Sequence, residues 1–106
     1  MHDTIIARKI IEEAESHGIV KKIHLEIGEI ASVPAKELVA CLETITNWRI
    51  TCKEIVSIVR CKCGYNGRVK IIERGHDFCL IECPECQSLP EIASGNEIKL
   101  IRVVVD

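Results

Sequence analysis

The first amphipathic segment of the chain runs from Thr4 to His17 and has the periodicity of an α-helix. Its apolar residues recur every three or four positions, whereas most of its charged residues fall on the other side. Gly18 follows directly, as is typical of the residue that ends a helix. We therefore expect an amphipathic helix whose apolar stripe consists of Ile6, Ile10 and Ala14, with Ile5 and Ile11 beside it.

A strict alternation of apolar and polar residues follows, from Lys22 to Ile27. Alternate residues of a β-strand point to opposite faces of the sheet, so this pattern predicts a strand with one buried face that ends near Gly28. The apolar face holds Ile23, Leu25 and Ile27, and the polar face holds Lys22, His24 and Glu26.

A second helix is predicted after Pro34, because proline suits the first turn of a helix. Helical spacing of apolar residues continues to about Asn47. The apolar stripe of this helix consists of Leu38, Leu42 and Ile45, with Val39 and Cys41 alongside.

Two further segments rich in Ile and Val predict strands, Glu54–Val59 and Glu97–Val105. Three strands and two helices suit a two-layer domain, since each helix buries its apolar stripe against the sheet. The expected fold class is therefore α+β, with two helices on a small three-stranded sheet.

A stretch dense in Cys and Gly, residues 60–94, separates the second and third predicted strands. It contains two short strand-like pieces, Arg68–Glu73 and Asp77–Ile81. We expect it to form an inserted module that resembles a zinc ribbon, while residues 1–59 and 95–106 form the main α+β domain.

The net charge and the distribution of apolar residues argue against nucleic acid and membrane as partners. The chain has 106 residues and a net charge of −2, and so lacks the basic surplus of a general nucleic-acid binder. It has no run of about 18 apolar residues to span a bilayer, and charged residues fill the region where a signal peptide would be apolar. We expect a cytoplasmic protein with neither nucleic acid nor membrane as partner.

Seven cysteines are many for a cytoplasmic chain, whose thiols stay reduced, so metal binding is favoured over disulfides. Two close pairs, about twenty residues apart, can supply four thiolates to a tetrahedral Zn(II). The first pair is C-x-C rather than C-x-x-C, but alternate side chains of an extended chain share one side, so their sulfurs can converge. The expected ligands are Cys61, Cys63, Cys83 and Cys86, with Cys79 and His76 as alternative ligands.

Two other uses of the module remain open. The sequence CPEC could serve thiol redox chemistry, which would place it at the start of a helix. A zinc-ribbon module that binds protein or nucleic acid is the other alternative, suggested by basic residues near the cysteines and weakened by the acidic residues among them. The basic residues are Arg60, Lys62, Arg68, Lys70 and Arg74.

His2 stands beside the α-amino group of Met1, and together they suggest a second metal site. That amine, the amide nitrogen of residue 2 and its imidazole can close adjacent chelate rings, and a plane of such nitrogens suits Ni(II) or Cu(II). The backbone amide of Asp3 or a ligand from a partner could fill the fourth position. Motifs for phosphate binding, acyl transfer and zinc proteolysis are missing from the sequence, so we expect a protein that is not an enzyme.

Taken together, these features resemble the HypA/HybF family of hydrogenase nickel-incorporation proteins, nearly from end to end. The matching pieces stand in the family's order: MH before an Ile-rich helix, HLEIGEIASV, PAKELVACLETIT, CPEC, and GNEIKLIRVVV. Departures from the family pattern are Asp3 and Ala35, where Glu is usual, and Arg60, where a cysteine is expected.

The resemblance implies a nickel metallochaperone for the maturation of [NiFe] hydrogenase. It implies Ni(II) as transient cargo bound by His2 with the backbone amine of Met1 and the backbone amide of Asp3, and Zn(II) as a structural ion bound by the paired cysteines. The implied partners are a hydrogenase-maturation GTPase and the precursor of the hydrogenase large subunit, with urease maturation factors in some organisms.

Overall fold

The computed structural model describes residues 2–75 and 78–106, and gives only the backbone of residues 2 and 3. Two helices and eight strands occur in this part of the chain. In chain order they are α1 His2–Glu15, β1 Val20–Gly28, α2 Ala35–Ile45, β2 Arg49–Ile55, β3 Ile58–Arg60, β4 Asn66–Gly67, β5 Lys70–Arg74, β6 Cys79–Glu82, β7 Glu91–Ser94 and β8 Ile98–Val105.

The main layer is a three-stranded sheet with β1 in the centre. β1 pairs in parallel with β2 and antiparallel with β8. The apolar face of β1 is fully buried, because Ile23, Leu25 and Ile27 pack against the helices as members of the main hydrophobic core. The expected α+β fold and the alternation along β1 are both confirmed.

The two helices cover this apolar face. α1 buries Ala7, Ile10 and Ala14, and α2 buries Leu38 and Leu42. Both helices are confirmed, but two residues predicted to lie on their buried stripes, Ile5 and Ile45, are in fact exposed.

Ile5 and Ile45 remain 55% and 48% exposed. Ala7 takes the place expected for Ile6 at the centre of the α1 stripe, because positions 7, 10 and 14 share the face that meets the sheet. A small residue there lets the helix approach its neighbours closely. None of the described helices has the length and apolarity needed to cross a membrane.

The predicted strand Glu54–Val59 is wrong, since the chain changes sheets within it. β2 begins earlier, at Arg49, and the chain leaves the main sheet at Val56 before β3 enters a second sheet. The physical reason is Ser57, a fully buried polar residue whose hydroxyl donates a hydrogen bond to the Glu29 carboxylate at 2.6 Å. The contact lies where the chain passes from the main sheet, which contains β2, to the second sheet, which contains β3.

The cysteine-rich module consists of a small sheet and a hairpin. β3 lies in the centre of the sheet β4-β3-β7, and β5 pairs with β6. The hairpin and the terminal strand β8 are confirmed, although Asp77, at the start of one predicted strand, lies outside the described residues. The division of the chain into residues 1–59 with 95–106 and residues 60–94 stays a prediction.

The module is joined to the main sheet by the segment that follows β1. Ile30 is buried in the core of the module, with Val59 and Val69. The backbone amide of Glu29 donates to the Ile55 carbonyl at 2.8 Å, and that of Ile30 donates to the Gly95 carbonyl at 2.9 Å. The two residues that follow β1, Glu29 and Ile30, therefore contact both the main sheet and the cysteine-rich module.

Gly28 and Gly95 approach each other backbone to backbone at this junction. A Cβ atom on Gly28 would overlap the carbonyl oxygen of Gly95 and come within 2.7 Å of the Asn96 nitrogen. Because backbone atoms cannot rotate away as a side chain can, glycine is required at position 28.

We predict that Gly28→Ala lowers the free energy of unfolding by at least about 3 kcal/mol, because the overlap forces backbone to move at the junction. Urea denaturation followed by circular dichroism measures the change. Ser94→Ala, a small change at a half-buried position beside Gly95, is the control and should change it by less than about 0.5 kcal/mol. Equal losses in the two variants would contradict this account of the junction.

Candidate metal centre and its junction with the main domain

Four cysteine sulfurs converge at one end of the module. The Sγ atoms of Cys61, Cys63, Cys83 and Cys86 all lie within 4.8 Å of one another. The Cys61 and Cys86 sulfurs are 3.4 Å apart, and those of Cys63 and Cys83 are 3.7 Å apart. A tetrahedral zinc with bonds of about 2.3 Å needs sulfurs about 3.8 Å apart, so this donor set fits Zn(II).

A turn after β3 presents the first pair. The Cys61 amide donates to the Tyr65 carbonyl at 2.9 Å, and the Gly64 amide donates to the Cys61 carbonyl at 2.9 Å. Gly64 has φ +98°, a conformation that a side chain would strain. The sulfurs of the C-x-C pair therefore meet in a closed turn, and not along the extended chain that the sequence argument assumed.

A second turn, after β6, presents the other pair. The Cys83 amide donates to the Ser88 carbonyl at 2.8 Å, and the Gln87 amide donates to the Cys83 carbonyl at 3.0 Å. Gln87 supplies the left-handed residue of this turn, with φ 64°. The CPEC sequence thus lies in a turn and does not begin a helix, so it lacks the setting expected of a redox pair.

Backbone amides point at the second sulfur of each pair. The Ser88 amide and hydroxyl, with help from Cys61, lower the pKa of the Cys86 thiol to about 6. The Tyr65 amide lowers the pKa of the Cys63 thiol in the same way, but desolvation and hydrogen bonds with the other three cysteines outweigh it and raise that pKa to about 12. Four neighbouring sulfurs cannot all carry a charge without a cation between them.

Of the two alternative zinc ligands, Cys79 does not join this group. Cys79 lies on β6 and packs against the core of the module around Val59, and it is not part of the four-sulfur cluster. His76, the other alternative, lies outside the described residues.

A buried carboxylate connects the module to the main domain. Glu29, directly after β1, accepts a hydrogen bond from the Arg68 guanidinium at 2.6 Å and one from the Ser57 hydroxyl at 2.6 Å. Only 10% of the Glu29 side chain is exposed. Burial raises the pKa of this carboxyl, but the donors of Ser57 and the charge of Arg68 outweigh burial and hold the pKa below its ordinary value.

Sequence reasoning did not find this contact, because its three residues come from three distant segments. The sequence shows only a charged residue, Glu29, between Gly28 and the apolar Ile30 just after the predicted strand, and this alone does not indicate a partner. Arg68 was grouped instead with the basic residues of the module, although here it pairs with a carboxylate of the main domain.

At the N-terminus, α1 begins at His2. Met1 and the side chains of His2 and Asp3 lie outside the described residues, so their ligand roles stay predictions. Of the other histidines, His17 is exposed beyond the end of α1, and the Nδ1 atom of His24 lies 2.7 Å from the Thr51 hydroxyl. The described structure brings neither of them near the four-cysteine cluster.

The fold and the cysteine cluster define a class of small α+β proteins that carry a four-cysteine ribbon module. Residues 1–105 match the family model described as hydrogenase/urease nickel incorporation, metallochaperone, hypA. The chain belongs to this HypA family of nickel metallochaperones in hydrogenase maturation.

Individual relatives agree with the family match. A hydrogenase maturation factor HypA of Azotobacter chroococcum is 30% identical over all of both chains. One from Methanothermobacter thermautotrophicus is 29% identical and covers all of this chain and 93% of its own. The solution structure of the nickel metallochaperone HypA of Helicobacter pylori shares the fold, with a TM-score of 0.61 at 16% identity over 97% of this chain and 96% of that one.

We predict that Cys63→Ser lowers the zinc content of the purified protein below one equivalent and unfolds the module, because a neutral hydroxyl replaces a thiolate ligand. Elemental analysis measures the metal, and amide NMR signals of residues 60–94 report the fold. Cys79→Ser is the matched control and should keep full zinc content. Zinc lost from Cys79→Ser but retained by Cys63→Ser would assign the site to the alternative ligand.

We predict that Glu29→Gln lowers the free energy of unfolding at pH 7 by about 2 kcal/mol, because hydrogen bonds to a buried charge are replaced by weaker neutral ones. The lowered pKa keeps Glu29 ionised at this pH, and its stabilising effect is lost only as pH falls through that pKa. Urea denaturation with saturating zinc measures the change. Glu54→Gln, at an exposed position on β2, is the control, and an equal loss there would contradict the prediction.

Proposed function

We propose that this chain binds Ni(II) at its N-terminus and hands it to a hydrogenase-maturation GTPase and the precursor of the [NiFe] hydrogenase large subunit. The family match over residues 1–105 is the observation that carries the proposal, because it concerns nickel incorporation. The ligands are the His2 imidazole, the backbone amine of Met1 and the backbone amide of Asp3.

The start of α1 suits such a site for a physical reason. The first four amides of an α-helix have no acceptor within the helix, so the amides of residues 2 and 3 are free of that competition. A metal that binds amide nitrogens must displace their protons, and the positive end of the helix dipole stabilises the negative charge that results. The helix start therefore favours the deprotonated ligand set.

The helix also holds the site on a rigid support. Ala7, Ile10 and Ala14 are buried in the main core, so the first turn extends from an anchored element. Nickel ligands at the end of a chain would be within reach of a second protein, which suits an ion that must leave again.

We assign Zn(II) at Cys61, Cys63, Cys83 and Cys86 a structural role. Four thiolates fill a tetrahedral shell and leave no open position for a substrate or water. When bound, zinc supplies the positive charge that lets all four sulfurs be thiolates. The core of the module, built around Ile30, Val59 and Val69, is too small to fold without such support.

Release of tightly held nickel requires an energy source or a competing ligand set, and this chain has no phosphate-binding motif of its own. A GTPase partner would supply the nucleotide cycle, and it would dock beside α1 and the start of β1, next to the nickel. The chain itself would act as a carrier in the cytoplasm and catalyse no reaction.

We predict that His2→Ala lowers the affinity for Ni(II) at least about tenfold, since loss of an imidazole removes one ligand of a small chelate. Isothermal titration calorimetry of the untagged, zinc-loaded protein measures the affinity. His17→Ala removes an exposed histidine beyond the end of α1 and should bind nickel as the unchanged protein does.

A second control tests the backbone amine. Extension of the chain by two residues ahead of Met1 should weaken nickel binding as His2→Ala does, whereas the same extension after Asp106 should have no effect. Equal affinity of the unchanged and His2→Ala proteins would refute the N-terminal site.

A further inference from the structure

The face of the main sheet that points away from the helices carries a concentration of positive charge. Cross-strand partners in a sheet lie side by side on one face, so the register shows which residues share the open face with Lys22, His24 and Glu26 of β1. We call the open face the basic sheet face and define it by its five cations, Lys22, Arg49, Lys53, Lys99 and Arg102.

The basic sheet face differs in charge from the rest of the molecule. Two carboxylates stand against its five cations: Glu26, which lies between Lys53 and Lys99, and Glu97, which pairs with Lys99 at the edge of the face. The whole chain has a net charge of −2, so the remaining surface is net acidic. This segregation produces a local positive field on one side of a weakly acidic protein.

Most of these cations are available to another molecule. Within residues 2–75 and 78–106, only Lys99 among the five forms an ion pair, at 3.2 Å with the exposed Glu97. All five side chains belong to exposed residues. The helices pack on the opposite face of the sheet, against Ile23 and Leu25, and leave this one open.

A small depression gives the face a specific feature. Its volume is about 240 Å³, and it lies between β1, β2 and β8. Arg102 provides a guanidinium at its wall, and His24 and Thr51 provide a hydrogen-bonded polar pair. An arginine fork with a nearby hydroxyl matches the geometry of a carboxylate side chain.

We propose that the basic sheet face docks an acidic protein surface, with a carboxylate of the partner in the depression beside Arg102. The proposal rests on the proposed function only in the choice of partners, because transfer of nickel requires a second protein. Because the GTPase is proposed to dock beside α1, the partner on this face is the precursor of the hydrogenase large subunit, which binds on the side of the sheet opposite α1.

The mixture of groups on the face favours a protein over a polyanion. A nucleic-acid backbone would place phosphates against Glu26, which interrupts the row between Lys53 and Lys99. A protein surface can place a donor opposite Glu26 and carboxylates opposite the cations. Val104 of β8, which pairs with Lys22, is 42% exposed and adds apolar contact at the edge of the face.

The size of the face suits a transient complex. The three strands are about 4.8 Å apart, and the stretch from Lys22 to Glu26 is about 14 Å long, so the face is smaller than the roughly 800 Å² that each partner buries in a stable complex. Opposite charges on such a small contact speed association, and dissociation remains fast. A carrier that must release its partner after each delivery requires both rates to be high.

The test uses the zinc-loaded, ¹⁵N-labelled protein, titrated with the purified maturation GTPase and, separately, with the large-subunit precursor of the same organism. We expect the GTPase to perturb amide signals of α1, and the precursor to form a complex that perturbs those of β1, β2 and β8 around Lys22, Thr51 and Arg102. The double variant with Lys22→Glu and Arg102→Glu should weaken that complex at least about tenfold at low salt, with a shallower dependence on ionic strength.

The matched control reverses two exposed charges elsewhere, with Lys36→Glu on α2 and Lys70→Glu on β5. An equal loss of affinity in both double variants would overturn the proposal. Perturbations by the precursor that are confined to the helices or the cysteine module would also overturn it. So would tighter binding of the face to double-stranded DNA or to phosphatidylserine vesicles than to the precursor.

Nickel titration of the same variants separates this proposal from the proposed function. If the sheet-face variants bind nickel with unchanged affinity, and the partner makes no contact with the sheet face, the docking surface alone is refuted. Contacts at the sheet face in a protein whose nickel binding does not require His2 refute the N-terminal site alone.

Discussion

The continuation of β1 beyond Gly28 is the constraint on which the two parts of this protein depend. β1 is paired on both sides, and its next residues place a carboxylate and an isoleucine in contact with the cysteine module. Glu29 pairs with Arg68, and Ile30 enters the small core beside Val59. Because Gly28 and Gly95 meet backbone to backbone, the junction has little freedom to hinge. The module is therefore held at a defined position relative to the sheet by packing, as well as by the two short chain segments that connect β2 to β3 and β7 to β8.

The cysteine module illustrates how a small unit can be stable without a large core. Two turns of similar design, around Gly64 and Gln87, each direct two sulfurs to one point and each donate a backbone amide to one of them. Closure of these turns brings the sulfurs to a separation that suits a tetrahedral ion. The same closure would be unfavourable for four bare thiolates, so folding of the turns and binding of the ion are linked.

Sequence patterns predicted the parts of the fold where one face is buried along a whole element. The alternation along β1 correctly gave its buried residues, Ile23 and Leu25, and the paired spacing correctly grouped the four cysteines. β2 was missed because an edge strand that exposes most residues has no strong period, as Arg49 and Lys53 illustrate. The Glu29–Ser57–Arg68 contact could not be predicted, since long-range polar pairing leaves no periodic trace in any one segment.

The two faces of the main sheet have different roles: one packs in the hydrophobic core, and the other is the proposed docking surface. One face is apolar and packs against α1, which places the N-terminal histidine on the helical side. The other face is basic and open, so a protein docked there would leave the start of α1 uncovered. Two different proteins could then contact the carrier at once, one beside the proposed nickel site and one behind the sheet. Since β1 contributes Ile23 to one face and His24 to the other, binding on the basic face would act on the strand that also supports the helices. If nickel is held at the proposed N-terminal site, this arrangement would permit a handover in a ternary complex, without release of nickel to solvent.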